Sequence, residues 1–347
     1  MKIIGVMSGT SLDGMDLAEV VFENTDGKIS FQLLKTTTIA YDDKMYQKLK
    51  EAITYSDSDL EKFNKEYTHY LANVISQWVD YEGITSIDAI ASHGHTIRHQ
   101  PDKGYTLQIG NFKEIAQVTN CKVVCDFRVQ DVQLGGQGAP LVPIGDKILF
   151  GQYDYCLNLG GFSNISFDEN GVRRAYDICP VNTILNLTAQ KIGLKYDDRG
   201  RIARAGNVNN ELLTKLNALE FYRQSPPKSL GIEFVNRYFQ TYIDKENPVD
   251  LLRTFVEHIA MQIAKSLDGN KGKMLVTGGG VYNDFLIERI QYLMPSFEVV
   301  IPDSKLIEYK EALIFALLGY LRLHNTNNVL SSVTGAKHDH CSGVVFG

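Results

Sequence analysis

The densest cluster of polar residues in the chain is the segment MSGTSLDGMD, residues 7–16, near its start. It combines the hydroxyl side chains of Thr10 and Ser11 with two carboxylates and two glycines, and apolar runs typical of strands precede and follow it. A plain hairpin turn needs only one or two residues such as Asn-Gly. A segment of this length therefore predicts a loop that holds a ligand, and backbone N–H groups beside hydroxyls suit an anion such as phosphate.

This loop does not match the common nucleotide-binding motifs. It has neither the GxxxxGK[ST] sequence of a P-loop, nor a lysine, nor the GxGxxG spacing of a dinucleotide-binding turn. Thr10, Ser11 and backbone amides would therefore contact the phosphates. The carboxylates of Asp13 and Asp16 repel phosphate unless a cation lies between them, so this interpretation requires a metal, for which magnesium bound through water is the usual choice.

A second stretch, residues 155–167, repeats the order of strand, small polar turn and strand. YCLNL runs into GGFSN and then into ISF. Two such units predict two similar lobes, and the second turn would contact phosphate through Gly160, Gly161, Ser163 and Asn164. The alternative is a pair of unrelated hairpins.

Three consecutive glycines form a third candidate site. Gly278, Gly279 and Gly280 follow the apolar run 274–277 and precede a helix expected near Asn283. Without side chains, this backbone can lie flat against a planar adenine or its ribose. The alternative is a tight strand-to-helix connection, which one glycine usually provides, so we favour a nucleotide contact.

The elements that position these turns alternate between strand-like and helical patterns, the signature of an α/β protein. Apolar stripes at helical spacing predict core-facing helices over residues 60–80 and 249–267. Short apolar runs predict buried strands at 87–91, 122–125, 155–159 and 274–277. Each run ends at a polar or glycine-rich turn, where the ligands of such sheets gather.

Composition limits the classes of function. With 347 residues the chain is long enough for two domains, and its net charge of −6 argues against a general nucleic-acid binder. No apolar run reaches the ~18–20 residues that cross a membrane, and the first residues lack the pattern of a signal peptide. Five scattered cysteines match neither a disulfide framework nor a paired zinc motif. We therefore expect a cytoplasmic protein with reduced thiols and without nucleic-acid or membrane partners.

Further motifs carry a family resemblance. They stand in the order GVMSGTSLDGMD (5–16), SHGHTIRHQP (92–101), VCDFRVQDVQLGGQGAPLVP (124–143), NLGGFSN (158–164), VTGGGVYN (276–283), EALIFA (311–316) and SVTGA (332–336). Over nearly the whole chain they resemble the anhydro-N-acetylmuramic acid kinases, bacterial enzymes of the fold shared by sugar kinases, actin and heat-shock chaperones. The first loop and the GGQGAPLVP stretch are the most specific of these motifs.

The resemblance implies an ATP-dependent kinase whose substrate is 1,6-anhydro-N-acetylmuramic acid from peptidoglycan recycling. Water attacks C1, the C1–O6 bond breaks, and O6 takes the γ-phosphoryl group of ATP to give N-acetylmuramic acid 6-phosphate. The alternatives are a kinase or ATPase of the same fold that acts on another amino sugar, and an ATP-binding regulator without turnover. The implied partners are the amino sugar and ATP with Mg²⁺, and the resemblance also implies a homodimer.

The implied fold is α/β, a two-lobed ribonuclease H-like architecture with mixed sheets and an interlobe cleft. Residues 1–130 plus 331–347 would form the N-terminal lobe with the first phosphate loop. Residues 131–330 would form the second lobe, with the general base and the adenosine-binding turn.

By the same resemblance, Asp177 is the general base that takes a proton from the attacking water. It begins DICPVN, which resembles the family's DTGPxN, and the alternative is that it caps a helix beginning near Pro180. Ile178 and Cys179 replace the family's Thr and Gly, so a hydroxyl is lost and a backbone with positive φ becomes costly. From this departure we expect an altered substrate or turnover.

On the sugar side, the resemblance implicates Thr96, Arg128, Asp131 and Glu311. Arg128 suits the lactyl carboxylate, which it would bind in a bidentate manner, and the alternative is an Arg–Asp pair that joins the lobes. Glu311 is expected to open the C-terminal helix, where an acid is also common for electrostatic reasons. His95 stands where the family usually has glutamine, and imidazole still donates and accepts hydrogen bonds.

The nucleotide contacts are expected in the first loop, the second turn and the glycine triplet. The full set is Gly9, Thr10, Ser11, Leu12, Asp13, Gly14, Met15, Asp16, Gly160, Gly161, Ser163, Asn164, Gly278, Gly279 and Gly280. Magnesium would be bound through water by Asp13 and Asp177.

Overall fold

The computed structural model describes residues 1–9 and 12–347, so Thr10 and Ser11, both predicted to contact phosphate, lie outside the described residues. The strands are β1 (Lys2–Ser8), β2 (Met15–Thr25), β3 (Lys28–Ile39), β4 (Ala89–Gln100), β5 (Tyr105–Ile109), β6 (Val123–Cys125), β7 (Tyr155–Leu159), β8 (Phe162–Glu169), β9 (Val172–Pro180), β10 (Gly272–Thr277), β11 (Phe297–Val300) and β12 (Val344–Phe346). The helices are α1 (Asp43–Glu51), α2 (Asp57–Glu82), α3 (Glu114–Thr119), α4 (Val129–Gln133), α5 (Val142–Leu149), α6 (Asn182–Gln190), α7 (Arg201–Ala205), α8 (Asn210–Asn217), α9 (Ile232–Tyr238), α10 (Gln240–Lys245), α11 (Pro248–Ser266), α12 (Asp284–Leu293), α13 (Ser304–Leu323) and α14 (Ser331–Thr334). Among these helices, none has the length and apolar character that a membrane span requires.

Two sheets of the same topology organise the fold. One has the order β12-β6-β4-β1-β2-β3, with β5 pairing with β4, and the other has the order β11-β10-β7-β8-β9. In each, the first three strands form an antiparallel meander, and the next strand of the sheet lies parallel to the first. This arrangement is that of a ribonuclease H-like sheet. The predicted α/β fold with mixed sheets and an internal repeat is therefore confirmed, and the alternative of two unrelated hairpins is wrong.

The chain divides into two units. Unit 1 comprises Met1–Leu149 and Tyr309–Gly347, and unit 2 comprises Phe150–Glu308. The boundaries expected from the sequence, after residue 130 and before residue 331, therefore differ from those of the structure. The segments on both sides of residue 130, and on both sides of residue 331, pack within unit 1, which explains the difference.

Helix α13 is the main element that the sequence assigned to the other lobe. It passes so close to β1 and β4 that a Cβ at Gly5 would overlap the carbonyl of Ala312, and one at Gly319 would lie 2.5 Å from the Cβ of Ala91. Glycine at both positions thus permits close helix-to-sheet packing, which places most of α13 in unit 1.

The two predicted core helices are confirmed as α2 and α11. Helix α2 begins before residue 60 because Ser56 caps it, accepting a hydrogen bond from the N–H of Asp59 at 3.2 Å, and it ends at Gly83 with a φ of 63°. Asn247 and Pro248 start α11 in the usual way for a helix N-terminus. The apolar stripes of both helices are buried in the cores of their units.

Candidate functional site

The first predicted ligand loop joins β1 to β2 in unit 1. The N–H of Leu12 donates to the carbonyl of Gly9 at 3.3 Å. Gly14 has a φ of 154°, and a Cβ there would lie 2.6 Å from the carbonyl oxygen of Ile39. Glycine is therefore required at this position because the loop passes close to β3.

The side chains of this loop differ in what they can reach. Asp13 is exposed, whereas Asp16 is partly buried and accepts a hydrogen bond from Thr38 Oγ1 at 2.6 Å. Met15 is fully buried in the core of unit 1. Any contact between Met15 and a nucleotide would thus use its backbone, and Asp13 is the more accessible carboxylate for a metal.

A buried hydrogen-bond network lies at the base of the loop. The hydroxyl of Ser8 contacts Tyr41 Oη and lies 2.7 Å from Nδ1 of His95, and Tyr67 donates to Ser8 at 3.1 Å. Burial lowers the pKa of His95 to about 4, so its imidazole is neutral near pH 7. His95 therefore ties β4 to the end of β1, and this contact needs only the hydrogen-bonding capacity that glutamine would also have.

Arg128 follows β6 and is held in place by two contacts. Its Nε donates to Nε2 of His93 at 2.8 Å, and Nη1 donates to the carbonyl of Gly138 at 2.6 Å. Burial lowers its pKa to about 10, while Glu311 and Asp131 favour the cation, so the guanidinium is still charged at neutral pH. Nη2 makes no hydrogen bond within the described part of the chain. The side chain is thus fixed but retains a donor for a carboxylate.

Asp131 is an internal anchor in the structure. It is fully buried, and its Oδ2 accepts from the N–H of Gly138 at 2.7 Å while Oδ1 accepts from Thr334 Oγ1 at 2.7 Å. A Cβ at Gly136 would overlap this carboxylate. The predicted sugar contact by Asp131 remains untested, but both of its oxygens are already engaged. The alternative of an Arg–Asp pair joining the lobes is wrong, because both residues belong to unit 1 and each contacts Gly138 instead.

Asp131→Asn is expected to lower the free energy of unfolding by about 2–3 kcal/mol. The amide would turn a donor toward either the N–H of Gly138 or the hydroxyl of Thr334, and would leave one of them without an acceptor. Urea denaturation checks this, with Asp26→Asn in the exposed turn between β2 and β3 as the matched control. Equal midpoints for the two variants would contradict the anchoring role.

Glu311 lies inside α13 rather than at its start, since this helix begins at Ser304. The expectation that Glu311 opens a helix is therefore wrong, although the irregular φ of −111° at Tyr309 interrupts α13 just before it. Part of the Glu311 residue reaches solvent, but desolvation of the carboxyl raises its pKa, an effect that Arg128 opposes and Asp16 reinforces. These charges thus lie within electrostatic range of one another in unit 1.

Thr96 lies on β4 opposite Gln108 of β5. Its side chain is partly exposed, and Gln108 Nε2 donates to Thr96 Oγ1 at 3.3 Å. The Thr96 hydroxyl proton therefore remains a donor for a further acceptor such as a sugar oxygen.

Asp177 lies near the end of β9 in unit 2. Its carboxylate is partly exposed, and Oδ2 accepts a hydrogen bond from the N–H of Leu230 at 2.8 Å. Burial raises the pKa of Asp177, and the Leu230 hydrogen bond opposes that shift. Asp177 does not cap α6, because this helix begins at Asn182 after Val181 and has no side-chain cap. The alternative reading of Asp177 as a helix cap is therefore wrong.

The residues that depart from the family motif are accommodated by a β-bulge. Asp177 pairs with Asn164 and Cys179 pairs with Ser163, so Ile178 is the extra residue of β9. Ile178 and Cys179 are both buried in the core, and Cys179 has no positive φ. Ser163 is fully buried and its hydroxyl donates to the carbonyl of Cys179 at 3.1 Å. The Ser163 hydroxyl thus faces the core, which argues against direct contact with phosphate.

Cys179 is expected to be inert to thiol reagents in the folded protein. Burial raises its pKa to about 12, and its side chain has no exposed surface. Labelling with iodoacetamide at pH 8, read by peptide mass spectrometry, should modify the partly exposed Cys121 and Cys341 and spare Cys179 until urea is added. Rapid labelling of Cys179 without urea would contradict this and would show that the core around it opens to solvent.

The second predicted phosphate turn connects β7 to β8. The carbonyl of Gly161 accepts from the N–H of Val181 at 2.8 Å, and the carbonyl of Gly160 accepts from the N–H of Asn182 at 3.2 Å. The turn is therefore bonded to the start of α6 through its carbonyls. Asn164 lies within β8, where it pairs with Asp177.

The glycine triplet follows β10, as expected. A Cβ at Gly278 would lie 2.5 Å from Asn158 Oδ1, and one at Gly280 would lie 2.7 Å from the Cβ of Leu159. At these two positions glycine is explained by close packing against β7. A Cβ at Gly279 would meet no atom closer than Asn182 Nδ2, at 3.7 Å. Packing does not require glycine at this exposed position, and the approach of a ligand would explain it.

Two features of the site were missed in the sequence. His93, which holds Arg128, is a buried imidazole whose pKa is lowered by burial and by the neighbouring guanidinium. The segment 228–230 contacts Asp177 from outside the sheet. Its only sequence signal is the turn-like run PPKSLG at residues 226–231.

Comparison with known proteins matches the whole chain. Residues 1–347 fit the family model described as anhydro-N-acetylmuramic acid kinase. Proteins of that name from Synechococcus elongatus and Aliivibrio fischeri are 33% and 35% identical, covering 100% and 99% of this chain and 99% of each relative. A further one, from Mannheimia succiniciproducens, is 36% identical over 99% of this chain and 98% of its own length. The chain belongs to the anhydro-N-acetylmuramic acid kinase family.

Proposed function

We propose that this protein is an ATP-dependent kinase that opens 1,6-anhydro-N-acetylmuramic acid with water and phosphorylates O6, giving N-acetylmuramic acid 6-phosphate in peptidoglycan recycling. The observation that carries the proposal is the state of Asp177. It is a partly exposed carboxylate near the end of β9, fixed at one oxygen by the N–H of Leu230, and burial raises its pKa. Membership of the family supplies the substrate class.

The chemistry begins with proton removal from water by Asp177. The water oxygen forms a bond to C1, the C1–O6 bond breaks, and O6 forms a bond to the γ-phosphorus as ADP leaves. The proton taken by Asp177 passes to solvent before the next turnover. A pKa raised by burial makes this carboxylate a stronger base than an exposed aspartate, as general base catalysis requires.

Sugar recognition is assigned to unit 1. Arg128 would bind the lactyl carboxylate, because His93 and Gly138 fix its Nε and Nη1 and leave Nη2 as a donor. Thr96 and Glu311 would contact sugar hydroxyls. Asp131 accepts from the N–H of Gly138, whose carbonyl accepts from Arg128 Nη1, and it is a positioning residue in this proposal.

The nucleotide is assigned to three glycine-containing segments. The loop of Gly9 to Asp16 and the turn of Gly160 and Gly161 would hold the phosphates, and Gly279 would lie against adenosine. Carboxylate oxygens are the protein ligands that Mg²⁺ prefers, so the exposed Asp13 fits water-mediated binding of the metal, with Asp177 as the second predicted partner. The metal would neutralise charge on the phosphates.

The oligomeric state and the location of the protein are proposed from the resemblance to the family. We propose a homodimer that works in the cytoplasm, where its ATP is available and its five free cysteines stay reduced. Light scattering after size exclusion tests the dimer, and a monomer mass at assay concentration would exclude it.

The proposed reaction has a direct test in ¹⁸O-labelled water. The protein is incubated with MgATP and 1,6-anhydro-N-acetylmuramic acid, and the products are followed by mass spectrometry. Label at C1 together with phosphate on O6 supports the coupled reaction. ATP consumption that is indifferent to the sugar would support an ATPase or a kinase for another amino sugar, and absence of turnover would support a regulator.

A further inference from the structure

The backbone beside Asp177 is covered by a short segment of chain. Strand β9 is at the edge of the sheet in unit 2, and residues 228–230, here called the strap, lie against it. The N–H of Asp177 donates to the carbonyl of Lys228 at 3.1 Å, and the N–H of Leu230 donates to Asp177 Oδ2 at 2.8 Å. The strap therefore holds both the backbone and the carboxylate of this residue.

These contacts make the two carboxylate oxygens of Asp177 unequal. Oδ2 is occupied by the Leu230 amide, whereas Oδ1 has no hydrogen-bond partner among the residues that the structure describes. A hydrogen bond from N–H to a carboxylate favours the charged form, which is the form that can take a proton. The strap thus fixes the orientation of the carboxylate and leaves one oxygen for water.

Within the strap, Lys228 contacts two aromatic rings. Its Nζ donates to the carbonyl of Phe221 at 3.3 Å and lies 4.8 Å from the ring centroid of Phe221 and 5.9 Å from that of Tyr176. Tyr222, which follows Phe221 in the chain, is buried, and its hydroxyl lies 2.9 Å from Nε2 of His258. Lys228 therefore attaches the strap to a rigid aromatic cluster, whereas the rest of residues 224–229 is exposed.

We propose that Lys228 is a positioning residue for the general base. By holding the strap on Phe221 and Tyr176, it keeps the Leu230 N–H on Oδ2 and leaves Oδ1 of Asp177 as the atom that accepts the proton of water. Lys228 acts through the strap rather than on the phosphates. This inference rests on the proposed role of Asp177.

The test compares Lys228→Met with Lys228→Arg in the full-length protein, with MgATP and 1,6-anhydro-N-acetylmuramic acid. Lys228→Met is expected to lower kcat by roughly 10- to 100-fold, because the base is no longer held in place. The loss should fall on kcat, because the strap orients the base and holds neither substrate. Lys228→Arg keeps a cation and a donor and should stay near the parent rate, and KM for ATP should change less than about twofold in both.

A kcat of Lys228→Met within about twofold of the parent, or an equal loss of kcat in Lys228→Arg, would overturn the proposal, and a rise in KM for ATP instead would assign Lys228 to the phosphates. If Lys228→Met does not fold, Lys228→Gln replaces it; this variant keeps a donor for Phe221 but lacks the cation, and its kcat must fall in the same way. Asp177→Asn distinguishes a failure of the proposed base from a failure of the role proposed for the strap. An active Asp177→Asn refutes the base itself, whereas an inactive one beside an unchanged Lys228→Met refutes only the role of the strap.

Discussion

Asparagine in place of Asp177 is expected to lower kcat by roughly 10²- to 10⁴-fold and to change ATP affinity by less than about twofold. The amide oxygen can still accept the N–H of Leu230, so the side chain keeps its place in the structure. It cannot take a proton from water near neutral pH, and the attack on C1 therefore loses its base. ADP release at saturating sugar measures kcat, and calorimetric titration with ATP measures the affinity.

The pH profile provides a second measurement on the same residue. The base acts only when deprotonated, so kcat/KM of the parent protein should fall as the pH drops through the pKa of Asp177, which burial raises above the ordinary aspartate value. The residual rate of Asp177→Asn should lack this limb. The matched control is Glu169→Gln at the exposed end of β8, where the carboxylate pairs with Arg174 at 3.2 Å. A near-parent kcat in Asp177→Asn would refute the assignment.

The sequence predicts the architecture well because it depends on local patterns. Apolar runs that end at glycine-rich or polar turns identify the central strands, and the repeated order of strand, turn and strand anticipates the duplicated sheet. The limits of the units depend instead on contacts between distant segments. The Cβ that Gly145 lacks would lie 2.6 Å from Ile314, a contact between α5 and α13 that no local pattern reveals.

The positions of the candidate site residues in the chain are easier to predict than the directions of their side chains. Met15 and Ser163 fall within ligand-like turns, yet both are fully buried. Ser163 is buried because it stands two residues before the buried Ile165 and so faces the same side of β8. Along β9, the extra residue Ile178 changes which side chains face the core, and a single sequence does not specify such a register shift.

Partners that are remote in sequence were the hardest to foresee. Asp131 resembles a ligand-binding carboxylate in its motif, but the hydroxyl of Thr334, some two hundred residues away, occupies one of its oxygens. Likewise, Arg128 is fixed by His93 on a different strand. The chemistry of a motif is therefore readable from residue types, whereas the division between contacting and positioning residues requires the tertiary structure.

Arg128→Met is expected to lower kcat/KM for 1,6-anhydro-N-acetylmuramic acid by roughly 10²- to 10³-fold, mostly through KM. A hydrogen bond from a charged donor contributes about 1.5–3 kcal/mol, and the substitution removes the donor Nη2 together with the positive charge that attracts the lactyl carboxylate. Arg128→Lys keeps the charge but not the planar fork, so it should recover only part of this loss. Initial rates at varied sugar concentration measure the effect.

A sugar without the lactyl group distinguishes this role from a general disturbance of the fold. 1,6-anhydro-N-acetylglucosamine lacks the carboxylate, so the parent protein should use it poorly and Arg128→Met should use it about as poorly as the parent does. The loss of kcat/KM caused by the mutation and the loss caused by the missing carboxylate are then not additive. Such non-additivity indicates a direct contact between the two groups. Equal losses on both sugars would instead indicate that Arg128 supports the local structure through its contacts with His93 and Gly138. The lactyl group would then need another partner.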